Sequence, residues 1–231
     1  MVMGNVTRGQ LVRWSAWAVL GANAVYVVAL VPDALAGWPT PPVAFTGLVA
    51  SLSILLGAPA IAVLFIGVAH QGPRAAFWTA ATAAVLYAAI AVANRILQLA
   101  IIATPAGAIP RGLDLYTANG LANFAEFFAW DLCLGIACVA AARSVIKDAR
   151  WPRRFLAGTG ALLLAGEGFY LAGFFGVGAA WIGRTGMMLS AAAWVGGLTA
   201  IAITALGSHC FRDAQDRGVR PHPSAPLSRL A

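Results

Sequence analysis

The chain has 231 residues, of which 61% are apolar and only 10% charged, against roughly 45–50% and about 25% in soluble domains. Its mean hydropathy of +0.81 points to the bilayer as solvent, where one crossing takes about 20 apolar residues, so the length allows about five to seven crossings and no sizeable soluble domain. Fifteen basic residues against eight acidic ones leave a net charge of +7, and nothing in their pattern implies nucleic acid as a partner.

Six apolar runs follow in order, each bounded by charge, Gly or Pro. They are roughly Leu11–Val31, Val43–Val68, Ala75–Ala103, Asn119–Ala142, Phe155–Phe175 and Gly186–Gly207. The first is too long for a signal-peptide core and lacks a clear cleavage site, so it reads as a retained signal anchor. Backbone groups in lipid must be satisfied within each segment, which makes runs of this length helices. Pro59 inside the second run predicts a kink. The expected architecture is an all-α, polytopic membrane bundle of six transmembrane helices over residues 1–207. A polar basic tail, expected to be mobile, covers residues 208–231, with four arginines and Pro221, Pro223 and Pro226.

The basic residues orient the bundle. With six spans the N-terminus, the second and fourth loops and the tail share one side. That side carries Arg8, Arg13, Arg74, Arg143, Lys147, Arg150, Arg153, Arg154, Arg212, Arg217, Arg220 and Arg229. The other side has Arg111 and Arg184, and Arg95 falls within a span. This bias predicts both termini in the cytoplasm, in a bacterial inner membrane. Trp14, Trp17, Trp78 and Trp151 would mark the inner interface, and Trp38 and Trp181 the outer one.

An ionisable group at mid-bilayer costs about 2.5–3.5 kcal/mol on the insertion scale. Four residues incur that cost here: Arg95, Glu126, Asp131 and Glu167. In the third span Tyr87, Asn94 and Gln98 share a helical face, with Arg95 about 100° round. In the fourth, Asn119, Asn123, Glu126 and Trp130 share one, with Asp131 about a third of a turn away. The fifth adds Glu167 and Tyr170, and the first Asn23 and Tyr26. At about 1.5 Å of rise per residue, nearly all lie between mid-membrane and the outer interface. That shared depth predicts one polar-bottomed cavity lined mainly by spans three, four and five. One arginine cannot neutralise three carboxyls, so at least one is expected to carry a proton. The plainer alternatives are interhelical hydrogen bonds for the amides and a structural ion pair of Arg95 with Glu126 or Glu167.

Residues 75–143 resemble a group of small bacterial six-span proteins. The matching pieces are Asn94-Arg-Ile-Leu-Gln98-Leu and the stretch from Tyr116 to Glu126 with the aromatic run after it. In size and acid placement the chain is also similar to the integral-membrane terpene cyclases that build drimane-type indole alkaloids and meroterpenoids. The resemblance implies that membrane-buried carboxyls protonate a terminal alkene or epoxide of a prenylated, lipid-like substrate. Glu126 or Asp131 would be the acid. Asn94, Gln98 and Asn123 would orient it, and Arg95 and Glu167 would join them in binding or orienting the substrate. Tyr87, Phe127, Trp130 and Tyr170 would face the cation.

No cofactor is expected. There is no Asp-Asp-x-x-Asp cluster for a magnesium diphosphate, no phosphate loop, no zinc motif and no dinucleotide-binding glycine pattern. Cys133, Cys138 and Cys210 show no disulfide or metal spacing. The histidines His70, His209 and His222 fall in loops or tail, and the lone Lys147 in a loop argues against a retinal Schiff base. The rival reading is a carrier or binding protein in which Glu126, Asp131 and Arg95 take up a proton or polar ligand from outside.

Overall fold

The structure, a computed structural model, describes residues 7–35, 44–70, 72–103, 121–145, 150–178 and 181–207. Among them all regular structure is helical, and six helices are long and apolar enough to cross a membrane. We label them α1 (Arg8–Leu35), α2 (Ala44–Ala69), α3 (Arg74–Ile102), α4 (121–144), α5 (Arg150–Phe174) and α6 (Trp181–Gly207). Two are interrupted by π-helical turns: α4 at Phe128–Cys133 and α6 at Ala193–Gly197.

The helices run past the apolar stretches that predict them. Thus α5 begins at Arg150 and α6 at Trp181, because backbone hydrogen bonding continues through the interface while side chains reach for water. Helix α2 passes through Pro59 without a break in assignment. The tail predicted from residue 208 lies outside the described residues, as do Trp38 and Lys147.

Consecutive helices pack on each other, and α6 returns against α1, so the bundle closes as a ring in chain order. The amide of Asn23 on α1 reaches Thr199 Oγ1 on α6 at 3.4 Å across that seam. Arg8 Nε donates to the Gly67 carbonyl at 3.1 Å, tying the start of α1 to the end of α2. The core is rich in alanine, with Tyr87, Phe65, Leu64, Leu134, Leu156 and Leu163 among its largest fully buried side chains. Lipid is as apolar as these residues, so close approach rather than burial holds the helices together. The α5–α6 contact is the tightest case. A Cβ on Gly186 would lie 2.7 Å from both the Gly166 carbonyl oxygen and the Tyr170 nitrogen, and one on Gly166 would strike the Ser190 hydroxyl. Isolated hydroxyls are satisfied within their own helix, as when Ser53 Oγ donates to the Ala50 carbonyl at 2.8 Å.

The exposed tryptophans fall at helix ends. Trp14 and Trp17, Trp78 and Trp151 stand within the first three turns of α1, α3 and α5, and Trp181 begins α6. This is the aromatic belt expected at the two interfaces.

Candidate functional site

Helices α3 and α4 meet through one carboxylate. Glu126 Oε1 accepts from Arg95 Nη2 and, at 2.6 Å, from Trp130 Nε1, while Oε2 accepts from Asn94 Nδ2 at 3.1 Å. The same Asn94 nitrogen donates to the Ala122 carbonyl at 3.2 Å. Glu126 thus meets three side-chain donors and no acceptor. Its partners come from α3 residues one turn apart from Gln98 and from Trp130, one turn along α4. The matching depths and phases that predicted a facing of Asn94 and Glu126 reproduce this contact. Gln98 is buried nearby, yet its Nε2 has no hydrogen-bond partner. The side chain of Asn123, and all of Asn119, lie outside what the structure describes.

Asp131 points the other way. It is fully buried, at 0% exposure, about 15 Å along α4 from Leu121 at about 1.5 Å per residue, close to the middle of a roughly 30 Å hydrocarbon core. Helical spacing over five residues, at about 100° each, turns the two acids well apart: Glu126 meets α3, and Asp131, inside the π-helical turn, meets α6. Such turns recur at functional sites. Its Oδ2 is 2.5 Å from Ser190 Oγ on α6, and Oδ1 has no partner. Ser190 Oγ also lies 3.0 Å from the Gly186 carbonyl oxygen. A hydroxyl has one hydrogen, so Ser190 either divides it between these two acceptors or, were Asp131 protonated, would accept from the acid while donating to Gly186. Glu167 on α5 is also buried, and its Oε2 has no partner. Ser190 is the residue that sequence reasoning missed. A lone serine in an apolar run carries no signal of its own, and only its position four residues after Gly186, opposite Gly166, marks it.

Between these acids runs a chain of aromatic rings. Tyr87 meets Trp130 edge-on at 4.9 Å, Trp130 meets Trp194 at 4.5 Å, and Trp194 meets Tyr26 at 4.2 Å. All four line a small cavity of about 10 Å³, room for one water-sized sphere, with Asn23, Ser53 and Gly57 among its other walls. The Tyr87 hydroxyl and Trp194 Nε1 are buried without partners. The expectation of a cavity lined by spans three, four and five is therefore corrected: this one is lined by α1, α2, α3, α4 and α6, and none of the four membrane-embedded charged residues lines it. The reason is packing. Between α4 and α5, Phe127 stacks on Tyr170 at 4.1 Å and Phe124 meets Phe174 at 5.6 Å, so bulky rings fill the space where an opening was expected. Between α1 and α2, small residues such as Ala22, Gly57 and Ala58 leave space.

Among the described residues no group of three or more His, Cys, Asp or Glu side chains is arranged to hold a metal ion. Comparison with protein-family models, with curated proteins and with solved structures returns no match for this chain.

Proposed function

We propose that the protein is an intramembrane cyclase that starts cation chemistry on a prenylated, lipid-like substrate with a proton from a buried carboxyl. The observation that carries this reading is Asp131. It is wholly buried, no ion pair joins it among the described residues, and a proton on it would let Ser190 donate to the Gly186 carbonyl while accepting from the acid. Its neighbour in sequence, Trp130, belongs to the four-ring wall of the cavity, and aromatic faces are the groups that stabilise a cation where water is excluded.

In this scheme Asp131 gives its proton to the terminal alkene carbon. The next double bond closes on the cation, and loss of a proton from the ring system regenerates a carboxylic acid. The product is an isomer of the substrate. Glu126, occupied by three donors, serves to hold Arg95, Asn94 and Trp130 in place. The cavity of about 10 Å³ is far below the roughly 300–1,000 Å³ of ligand pockets, so binding a substrate of this class requires the helices to part. Both termini face the cytoplasm in this proposal, with the membrane a bacterial inner membrane, on the strength of the basic-residue bias.

One observation favours a proton-coupled carrier instead: the acids lie off the cavity rather than in its wall. Incubating the purified protein in detergent with a farnesylated indole separates the two. The cyclase yields a product of unchanged mass and altered chromatographic retention, and the carrier returns the substrate intact.

A further inference from the structure

The end of the bundle where α3 and α5 begin and α4 finishes carries charge that no described acid answers. Arg74 opens α3, Arg143 stands in the last turn of α4, and Arg150, Arg153 and Arg154 occupy the first turns of α5. All five are exposed, and among the described residues no salt bridge joins any of them. The described acids stand far off. Asp131 is about 20 Å along α4 from Ser144, and Glu167 about 25 Å along α5 from Arg150, at about 1.5 Å per residue. Glu126 is deeper still, and Asp33 is near the other end of α1. Residues 146–149, between α4 and α5, lie outside the described residues. Like charges gathered on one face repel, so the arrangement favours an anion from elsewhere.

Two of the five are brought together by the backbone. A Cβ on Gly72 would lie 2.2 Å from Ser144 Cα and 2.5 Å from its Oγ, so the turn before α3 rests directly on the end of α4. Arg74 follows that contact by two residues and Arg143 precedes it by one. At about 3.8 Å per Cα step their Cα atoms lie within roughly 15 Å of each other, close enough for two arginine side chains to meet on one phosphate. A sidedness signal needs only that bases lie on one side of the membrane, not that two helices join theirs. The depth fits as well. Trp78, one turn along α3 from Arg74, and Trp151, next to Arg150, are both exposed, and tryptophan settles at the level of the lipid headgroups. Arg154 lies over the Trp151 ring at 5.6 Å, which leaves the edge of its guanidinium open.

We propose that Arg74 and Arg143 clamp the phosphodiester of an anionic phospholipid, with Trp78 beside its glycerol and upper acyl chain and the α5 arginines extending the basic surface. Guanidinium forks match phosphate oxygens in pairs. The site stands apart from the cyclase reading, because it uses none of the buried acids.

Native mass spectrometry of the full-length protein in detergent, titrated with dioleoyl phosphatidylglycerol or dioleoyl phosphatidylcholine, tests it. The protein should bind the phosphatidylglycerol roughly tenfold or more tightly, and Arg74→Gln with Arg143→Gln should weaken that binding roughly fivefold per arginine. Binding of the phosphatidylcholine should not change. Arg13→Gln with Arg184→Gln removes as much charge, from α1, which packs on α2 and α6, and from the opposite end of the bundle. That pair should leave the preference intact. The preference of the unaltered protein should shrink as salt rises, which keeps the test decisive should a variant fail to fold. Equal affinity for the two lipids, equal losses in the two double variants, or a preference indifferent to salt would overturn the proposal. Displacement of the lipid by inorganic phosphate would also overturn it, since the site would then take a free anion.

Discussion

Glu126 and Asp131 stand five positions apart on one helix, and their surroundings give them opposite tasks. Replacing Glu126 by Gln keeps an acceptor but leaves Arg95 as an uncompensated charge in a dry place, a loss of about 3–5 kcal/mol. We expect Glu126→Gln to show a lowered melting temperature and poor yield in detergent. The double change Arg95→Met with Glu126→Leu should recover much of that loss, because it removes both charges. A Glu126→Gln protein as stable as the parent would show the ion pair to be idle. Asp131→Asn should behave differently, because the amide keeps the shape and can still meet the Ser190 hydroxyl. Its melting temperature should hold while cyclisation falls by a factor of about 10² or more, the range for removal of a general acid. An Asp131→Asn protein that still cyclises at full rate would remove this residue from the chemistry.

At the level of helices, the α5–α6 contact makes a quantitative distinction among glycines that look alike in sequence. Gly186→Ala presses a methyl group against the backbone of α5, which cannot give way, so it should cost about 1–3 kcal/mol and lower the melting temperature measured in detergent. Gly168→Ala adds a methyl to open space and should be neutral or slightly stabilising, since Ala outranks Gly inside a helix by about 1 kcal/mol. Equal behaviour of the two variants would contradict the packing described. The helices themselves were legible because the bilayer sets their length. The run from Val43 to Val68 and the helix from Ala44 to Ala69 differ by one residue at each end. The π-helical turns were not legible, because one residue more per turn leaves the apolar composition of α4 and α6 unchanged. The Asn94–Glu126 contact could be read from depth and phase, both of which follow from residue number. The cavity could not, because it depends on which interhelical gaps are filled by rings such as Phe127 and Tyr170 and which are left by Ala22 and Gly57.

Over the whole molecule, the inward bias of basic residues predicts a sidedness that labelling can check. With the native cysteines replaced, a cysteine introduced at Lys147 should resist an impermeant maleimide in intact cells, and one at Thr117 should react. The reverse pattern would invert the bundle and place the Glu126 end of α4 at the cytoplasmic face. Within the ring of helices, Trp130 belongs to two constructions at once, its nitrogen bound to Glu126 and its ring in the cavity wall. An occupant large enough to displace that ring must first break the bond to the carboxylate, at about 1.5–3 kcal/mol, or roughly ten- to a hundredfold in affinity. The penalty is reciprocal: whatever loosens Arg95 from Glu126 also changes how readily the wall opens. One carboxylate is thus shared between the indole of the wall and the Arg95 guanidinium, so a change at either should be felt at the other through a single side chain.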